Sequence, residues 1–184
     1  MTVMVETPGD SRRWTLDELD RLPDDGNRYE LLDGELLVSP ASVVKHQVAQ
    51  MELTRVLHAA CPPHLYVLVA PVDWRPGGPT SLQPDVLVVS KDWLDATNIT
   101  DVLPLAVEVL SPSTRRVDLV KKWAKYESAG VGSYWVVDPE VPSVVAWDLV
   151  DGRYQLVGEA QPDQKLDLRS PFPVTVIPKA LVSP

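Results

Sequence analysis

Three short apolar runs constrain this chain more than any other feature: LYVLVAPV (Leu65 to Val72), PDVLVVS (Pro84 to Ser90) and LAVEVL (Leu105 to Leu110). Each has the length and β-branched content of a strand, and each is too continuous to leave one face in water. Strands of that kind belong to a sheet covered on both sides. The third run carries an anomaly. Glu108 sits between Val107 and Val109, and an ionised carboxylate buried without a partner costs several kcal/mol. Either a cation pairs with Glu108, with Arg115, Arg116 and Lys122 as the candidates, or Glu108 faces a cavity where a cation binds.

The rest of the chain supplies the covering layers. WTLDELDRL predicts a short helix closed by Pro23. YELLDGELLVSP predicts a tight hairpin about Asp33-Gly34. A helix is expected from Ser42 to about Ala60, ending before Pro62-Pro63. TRRVDLVKKWAKYESAG predicts another, with Gly130 as its stop and Ser111 and Thr114 as its caps. SYWVVDP, VVAWDLV and RYQLVGEA follow as strands, the last two joined at Asp151-Gly152, and the C-terminal part is strand and extended chain. The expected fold class is α/β: a mixed β-sheet flanked by helices, with extra β-hairpins, in a single domain over residues 1–184.

Composition narrows the function classes. A formal net charge of -9 argues against holding nucleic acid by a broad basic surface, because such affinity comes from phosphate neutralisation. It leaves room for a local basic groove and for acidic residues that collect a divalent cation. The single cysteine, Cys61, excludes an intrachain disulfide framework and a cysteine-based zinc site. MTVMVETPGD has no basic region followed by an apolar one, so no secretory leader is expected. A cytoplasmic, reducing setting is the expectation, with no membrane association.

Asp85 opens its strand directly after Pro84, and Glu108 lies inside the next. On the helix that follows, Asp118, Lys122 and Tyr126 recur every four residues and so share a stripe. Two carboxylates on neighbouring strands suit a hard cation such as Mg²⁺, which takes one or two carboxylates and keeps several waters. Each residue also has an ordinary reading. Asp85 can be a strand-edge turn residue, Asp118 with Lys122 an exposed helix pair, Tyr126 packing with a wet hydroxyl, and His46 a satisfied helix histidine.

Read in order, RYELLDGELLVSPAS with His46-Gln47, PDVLVV, LAVEVLSPST and DLVKKWAKYESAGVGSYWVVDP resemble the Uma-type restriction endonucleases, a branch of the PD-(D/E)XK nuclease superfamily. The resemblance runs from about Arg28 to Pro139. It implies a metal-dependent endonuclease of restriction-endonuclease-like fold acting on DNA, with Mg²⁺ as cofactor, Mn²⁺ as substitute and a homodimer as the form suited to cutting both strands. Asp85 corresponds to the Asp of the PD element and Glu108 to the (D/E). The superfamily lysine two residues later is replaced by Leu110, and the branch pattern places it on the next helix, at Lys122, with Lys121 and Lys125 as competitors. Asp85, Glu108 and Lys122 are thus the catalytic candidates. Asp85, Glu108 and the main-chain carbonyl of Val109 are the metal candidates, with Glu30, His46 and Tyr126 auxiliary. A DNA groove would draw on Arg115, Arg116, Lys121, Lys122 and Lys125, and Lys122→Ala would slow hydrolysis while leaving metal binding nearly intact. Two other classes stay open: an inactive nucleic-acid or protein-binding module of the same fold, and a metal-dependent small-phosphate hydrolase.

Overall fold

The three apolar runs form neighbouring strands, β3 (Leu65–Val69), β4 (Val86–Ser90) and β5 (Leu105–Val109), in the computed structural model, which describes residues 12–112 and 114–183. The expectation for the first ten residues lies outside that range. β6 (Ser133–Asp138), β7 (Ser143–Val150) and β8 (Arg153–Ala160) complete a six-stranded sheet of order β3-β4-β5-β6-β7-β8. The β5–β6 pair is parallel and every other pair is antiparallel. The mixed sheet with flanking helices and extra hairpins matches the expected class.

Alternation along the strands divides the core between the two faces. Leu105, Val107 and Val109 of β5 point one way, with Val86 and Val88 of β4 and Trp135 and Val137 of β6. Helix α2 (Val44–Ala60) covers that face with Ala49, Leu53 and Leu57, helped by a C-terminal hairpin of β9 (Leu166–Leu168) and β10 (Val174–Val176). Ala106 and Leu110 point the other way, beneath Tyr126, Trp74, Leu32 and Leu37. Glu108 belongs to this second face.

The covering layer of the second face is a hairpin of β1 (Arg28–Leu32) and β2 (Glu35–Ser39), together with the helix that links β5 to β6. Asp33 and Gly34 turn the hairpin with φ of 50° and 86°, and Asp151 and Gly152 do the same between β7 and β8 at 52° and 77°. Both central residues of such a two-residue turn need positive φ, which is why Asp-Gly reads as a hairpin so well.

Two elements differ from expectation. Helix α1 is only Leu16–Leu19, set by a capping box between Thr15 and Glu18, and Asp20 to Leu22 continue as turn. The linking helix is not α-helical throughout. Val117–Lys122 form a π-helical segment that runs into α3 (Trp123–Ser128). The Trp123 N–H donates to the carbonyl of Asp118, five residues back, while that carbonyl also accepts from the Tyr134 hydroxyl at 3.0 Å. Such widened turns are frequent at functional sites. Among the described residues no helix is long and apolar enough to cross a membrane.

Candidate active site

The register of β4 against β5 pairs Val86 with Val107. Carried one residue further, it sets Asp85, at the mouth of β4, beside Glu108. Asp85 is anchored on three sides. Oδ2 accepts from the Val109 N–H at 2.8 Å and faces His46 Nε2 at 3.1 Å, while Oδ1 accepts from Arg28 at 2.9 Å. The Gln50 amide holds the Asp85 carbonyl at 2.6 Å. Burial raises the Asp85 pKa, but the His46 hydrogen bond and the charges of Arg28, His46 and Lys122 outweigh it and bring it down to about 2. Asp85 is therefore a carboxylate at any physiological pH.

Glu108 is held differently. Its Oε1 accepts from the Tyr126 hydroxyl at 2.7 Å and from Lys122 Nζ at 3.1 Å, and Oε2 receives no hydrogen bond among the described residues. Lys122 Nζ also bridges both oxygens of Glu30, at 3.0 and 3.1 Å, and lies 3.7 Å from Asp118 Oδ1. One buried ammonium thus serves three buried carboxylates. Its own pKa is shifted: burial lowers it, and Glu108, Glu30, Asp118 and Asp85 raise it by more. The carboxylates around it therefore favour the ammonium form of Lys122.

The carboxylates strain against one another. Burial pushes the Glu108 pKa well above the ordinary range; Lys122 opposes this, and Asp118, Asp85 and Glu30 add to it. Asp118 is raised to about 6, again by burial first, against Lys122 and its bond to Thr114. Asp118 Oδ1 and His46 Nδ1 are buried with no hydrogen-bond partner among the described residues. Both residues line a cavity of about 280 Å³ that also takes in Arg28, Glu30, Asp85, Glu108, Val109 and Lys122. Four carboxylates there face two permanent cations, so full ionisation leaves two negative charges uncompensated. That surplus, with an Asp118 oxygen that has Lys122 at 3.7 Å but accepts no hydrogen bond, fits a divalent cation. Among the described residues no three His, Cys, Asp or Glu side chains gather into a ready-made cage. A cation here would take one or two carboxylates and complete its shell with water or phosphate.

The structure therefore brings Asp85, Glu108, Lys122, Glu30, His46 and Val109 to one cavity, with Tyr126 fixing Glu108 from the aromatic layer behind. Tyr126 is fully buried against Trp74 and Tyr134, at ring separations of 5.3 and 5.0 Å, rather than wet. Of the candidate ion-pair partners for Glu108, Lys122 takes the place; Arg115 pairs with Asp138 and Arg116 makes no ion pair among the described residues. Asp118 and Lys122 are not an exposed helix pair, being 2% and 3% exposed. Sequence reading missed Arg28. The signal was there, since on a strand Arg28 and Glu30 share a face and Glu30 was already a candidate. Gln83, whose N–H donates to Glu30 Oε1 at 2.8 Å, and Gln50 gave no such signal.

Three of the cations expected to supply a basic groove are paired with acids among the described residues, Arg115 with Asp138. Lys121 is paired with Glu35 and Lys125 with Asp33, both at the hairpin turn, beside a wider open depression of about 710 Å³ that contains none of the buried carboxylates. A short acidic turn packed against the helix neutralises these two lysines.

A family model for Uma2, described as "Putative restriction endonuclease", matches residues 16–179. Among solved structures, the chain is similar to a protein of Anabaena variabilis ATCC 29413 described as "a putative nuclease belonging to DUF820". The two share 21% identity over 92% of this chain and 97% of the other, with a TM-score of 0.73. At that identity the likeness concerns the fold. No curated protein matches.

Proposed function

The chain belongs to the Uma2 family, and on that premise we propose that it is an endonuclease that hydrolyses phosphodiester bonds in DNA with a bound Mg²⁺, for which Mn²⁺ can substitute. The observation that carries this reading is the cavity with four buried carboxylates and two fixed cations. Asp85 and Glu108 would hold the cation, with the Val109 carbonyl as a further ligand. When bound, the cation polarises a phosphoryl oxygen and lowers the pKa of a coordinated water.

The chain's own groups prepare that chemistry. The Val109 N–H and His46 fix Asp85 by Oδ2, which orients Oδ1 into the site. Tyr126 and Lys122 fix Glu108 by Oε1 and leave Oε2 unengaged. Glu108 thus has one tethered oxygen and one for binding, whereas Asp85 has Oδ2 tethered and Oδ1 shared with Arg28; the tethers keep the site rigid before its ligand arrives. Lys122, as the ammonium, stabilises negative charge that develops on the phosphate. Its position is fixed by Glu30.

The test is cleavage of plasmid and oligonucleotide DNA in Mg²⁺ or Mn²⁺, against EDTA and against nucleoside triphosphates. DNA products that disappear with EDTA support the reading. A second reading, a small-phosphate hydrolase, draws on the modest cavity and on the pairing of Arg115, Lys121 and Lys125 with acids; hydrolysis of nucleotides but not DNA would favour it. Because those cations are paired, DNA binding should depend only weakly on salt. Two or three phosphate contacts predict a log–log slope of about −2 to −3, measurable by fluorescence anisotropy. A slope near −8 would place the DNA on a basic surface elsewhere.

A further inference from the structure

Arg28 stands where two hollows meet. The carboxylate cavity shares Arg28, Pro40, Ala41 and Ser42 with a neighbouring groove of about 490 Å³. That groove is lined by Asn27, Gln47, Gln50 and Gln83, with Arg28 its cation. The Gln50 and Gln83 amide nitrogens are held by the Asp85 carbonyl and by Asp73, while their amide oxygens and the amides of Asn27 and Gln47 accept no hydrogen bond from these partners. Amides both donate and accept, so they suit the edges of bases and sugars rather than a metal. Arg28 is 22% exposed at the side chain, whereas Asp85 beneath it is 3% exposed. It donates to Asp85 Oδ1 at 2.9 Å and to the Gln83 carbonyl at 3.0 Å. A guanidinium carries five N–H donors, and those two bonds engage two of them among the described residues.

Asp85 Oδ1 is also the oxygen left for a cation, because Oδ2 is held by Val109 and His46. A guanidinium and a divalent cation brought to the same oxygen repel one another, so the two compete for it. We propose that Arg28 has two positions: it holds Asp85 while the metal site is empty, and it clamps a phosphate of the substrate strand, lying across the amide-lined groove, once a cation claims Asp85. The planar fork of arginine matches two phosphate oxygens, and a displaced guanidinium at the mouth of the cavity meets the strand as it enters. This inference rests on the nuclease reading above.

Calorimetric titration with Mn²⁺ and steady-state cleavage of an oligonucleotide, on the parent, Arg28→Met and Arg28→Lys, test it. Arg28→Met removes the competing charge, so Mn²⁺ should bind several-fold more tightly, while KM for the oligonucleotide rises about tenfold and kcat changes less. Arg28→Lys keeps a charge but loses the fork; Mn²⁺ affinity should stay near the parent while KM still rises. If Arg28 merely braces Asp85, Arg28→Met will bind Mn²⁺ no more tightly than the parent, and that result overturns the proposal. An unchanged KM in Arg28→Lys overturns it as well, and remains decisive if Arg28→Met does not fold. A parent that takes up no Mn²⁺ removes the nuclease reading itself, a failure distinct from an indifferent Arg28.

Discussion

Lys122→Ala is expected to lower the melting temperature by about 6–20 °C, before any question of catalysis arises. Removing one partner of a buried ion pair costs about 3–5 kcal/mol, because the remaining charge stays buried and unpaired. In a chain of this length each kcal/mol moves the midpoint by about 2–4 °C. Lys122 serves Glu30, Glu108 and Asp118 together. Without it the acids can only take up protons, so the loss should be larger at pH 8 than at pH 5. The same geometry also bears on metal binding, where the sequence expectation is that Lys122→Ala leaves it nearly intact. Loss of the ammonium makes the cavity more negative and should tighten cation binding even as cleavage collapses. Lys122→Met, closer in volume, is the better catalytic probe. Lys122→Arg should fail by shape, since three carboxylates converge on one Nζ. Thermal melts at both pH values, alongside cleavage rates, check these outcomes.

The fold was legible where local chemistry decides it. Asp33-Gly34 and Asp151-Gly152 require positive φ, and the apolar runs have nowhere to go but a covered sheet. Glu108 announced the site because packing alone does not put a carboxylate between two valines. What stayed hidden depends on contacts distant in sequence. Arg28 is 57 residues from Asp85, and only the docking of the hairpin on the sheet brings them together. The π-helical turn at Val117–Lys122 has no periodic signature, since a stripe of four-residue spacings fits it nearly as well as an α-helix. Lys121, Lys125 and Arg115 looked free because their acidic partners lie on other elements. The lysines are bound by the hairpin turn and the arginine by the end of β6.

Glu108→Gln should abolish metal-dependent cleavage and make the metal-free protein more stable at neutral pH. The amide keeps an acceptor for Tyr126 and Lys122 but cannot supply the charge a cation needs. The sign of the stability effect follows from the raised pKa. Burial, with Asp118, Asp85 and Glu30 nearby, disfavours the ionised form in the folded state. The penalty is therefore absent below the unfolded value of 4.5 and grows as pH rises above it. Asp118 adds a similar penalty between its ordinary 3.8 and about 6. Asp85 acts in the opposite sense, contributing stability above 3.8 that is lost as pH falls toward about 2. Melting curves of parent and Glu108→Gln should coincide near pH 4 and separate by a few degrees at pH 8, with the variant higher. A variant that melts lower at pH 8 would mean that Glu108 stabilises the fold as an ordinary buried ion pair.

Crystals soaked in Mn²⁺ and measured at a wavelength where manganese scatters anomalously test the central claim most directly. The account predicts a peak in the carboxylate cavity, about 2.0–2.6 Å from oxygens of both Asp85 and Glu108, with Arg28 moved off Asp85 Oδ1 and Lys122 still held by Glu30. A map with no peak there, in which Arg28 keeps Asp85 and Lys122 keeps Glu108 at saturating Mn²⁺, would contradict it.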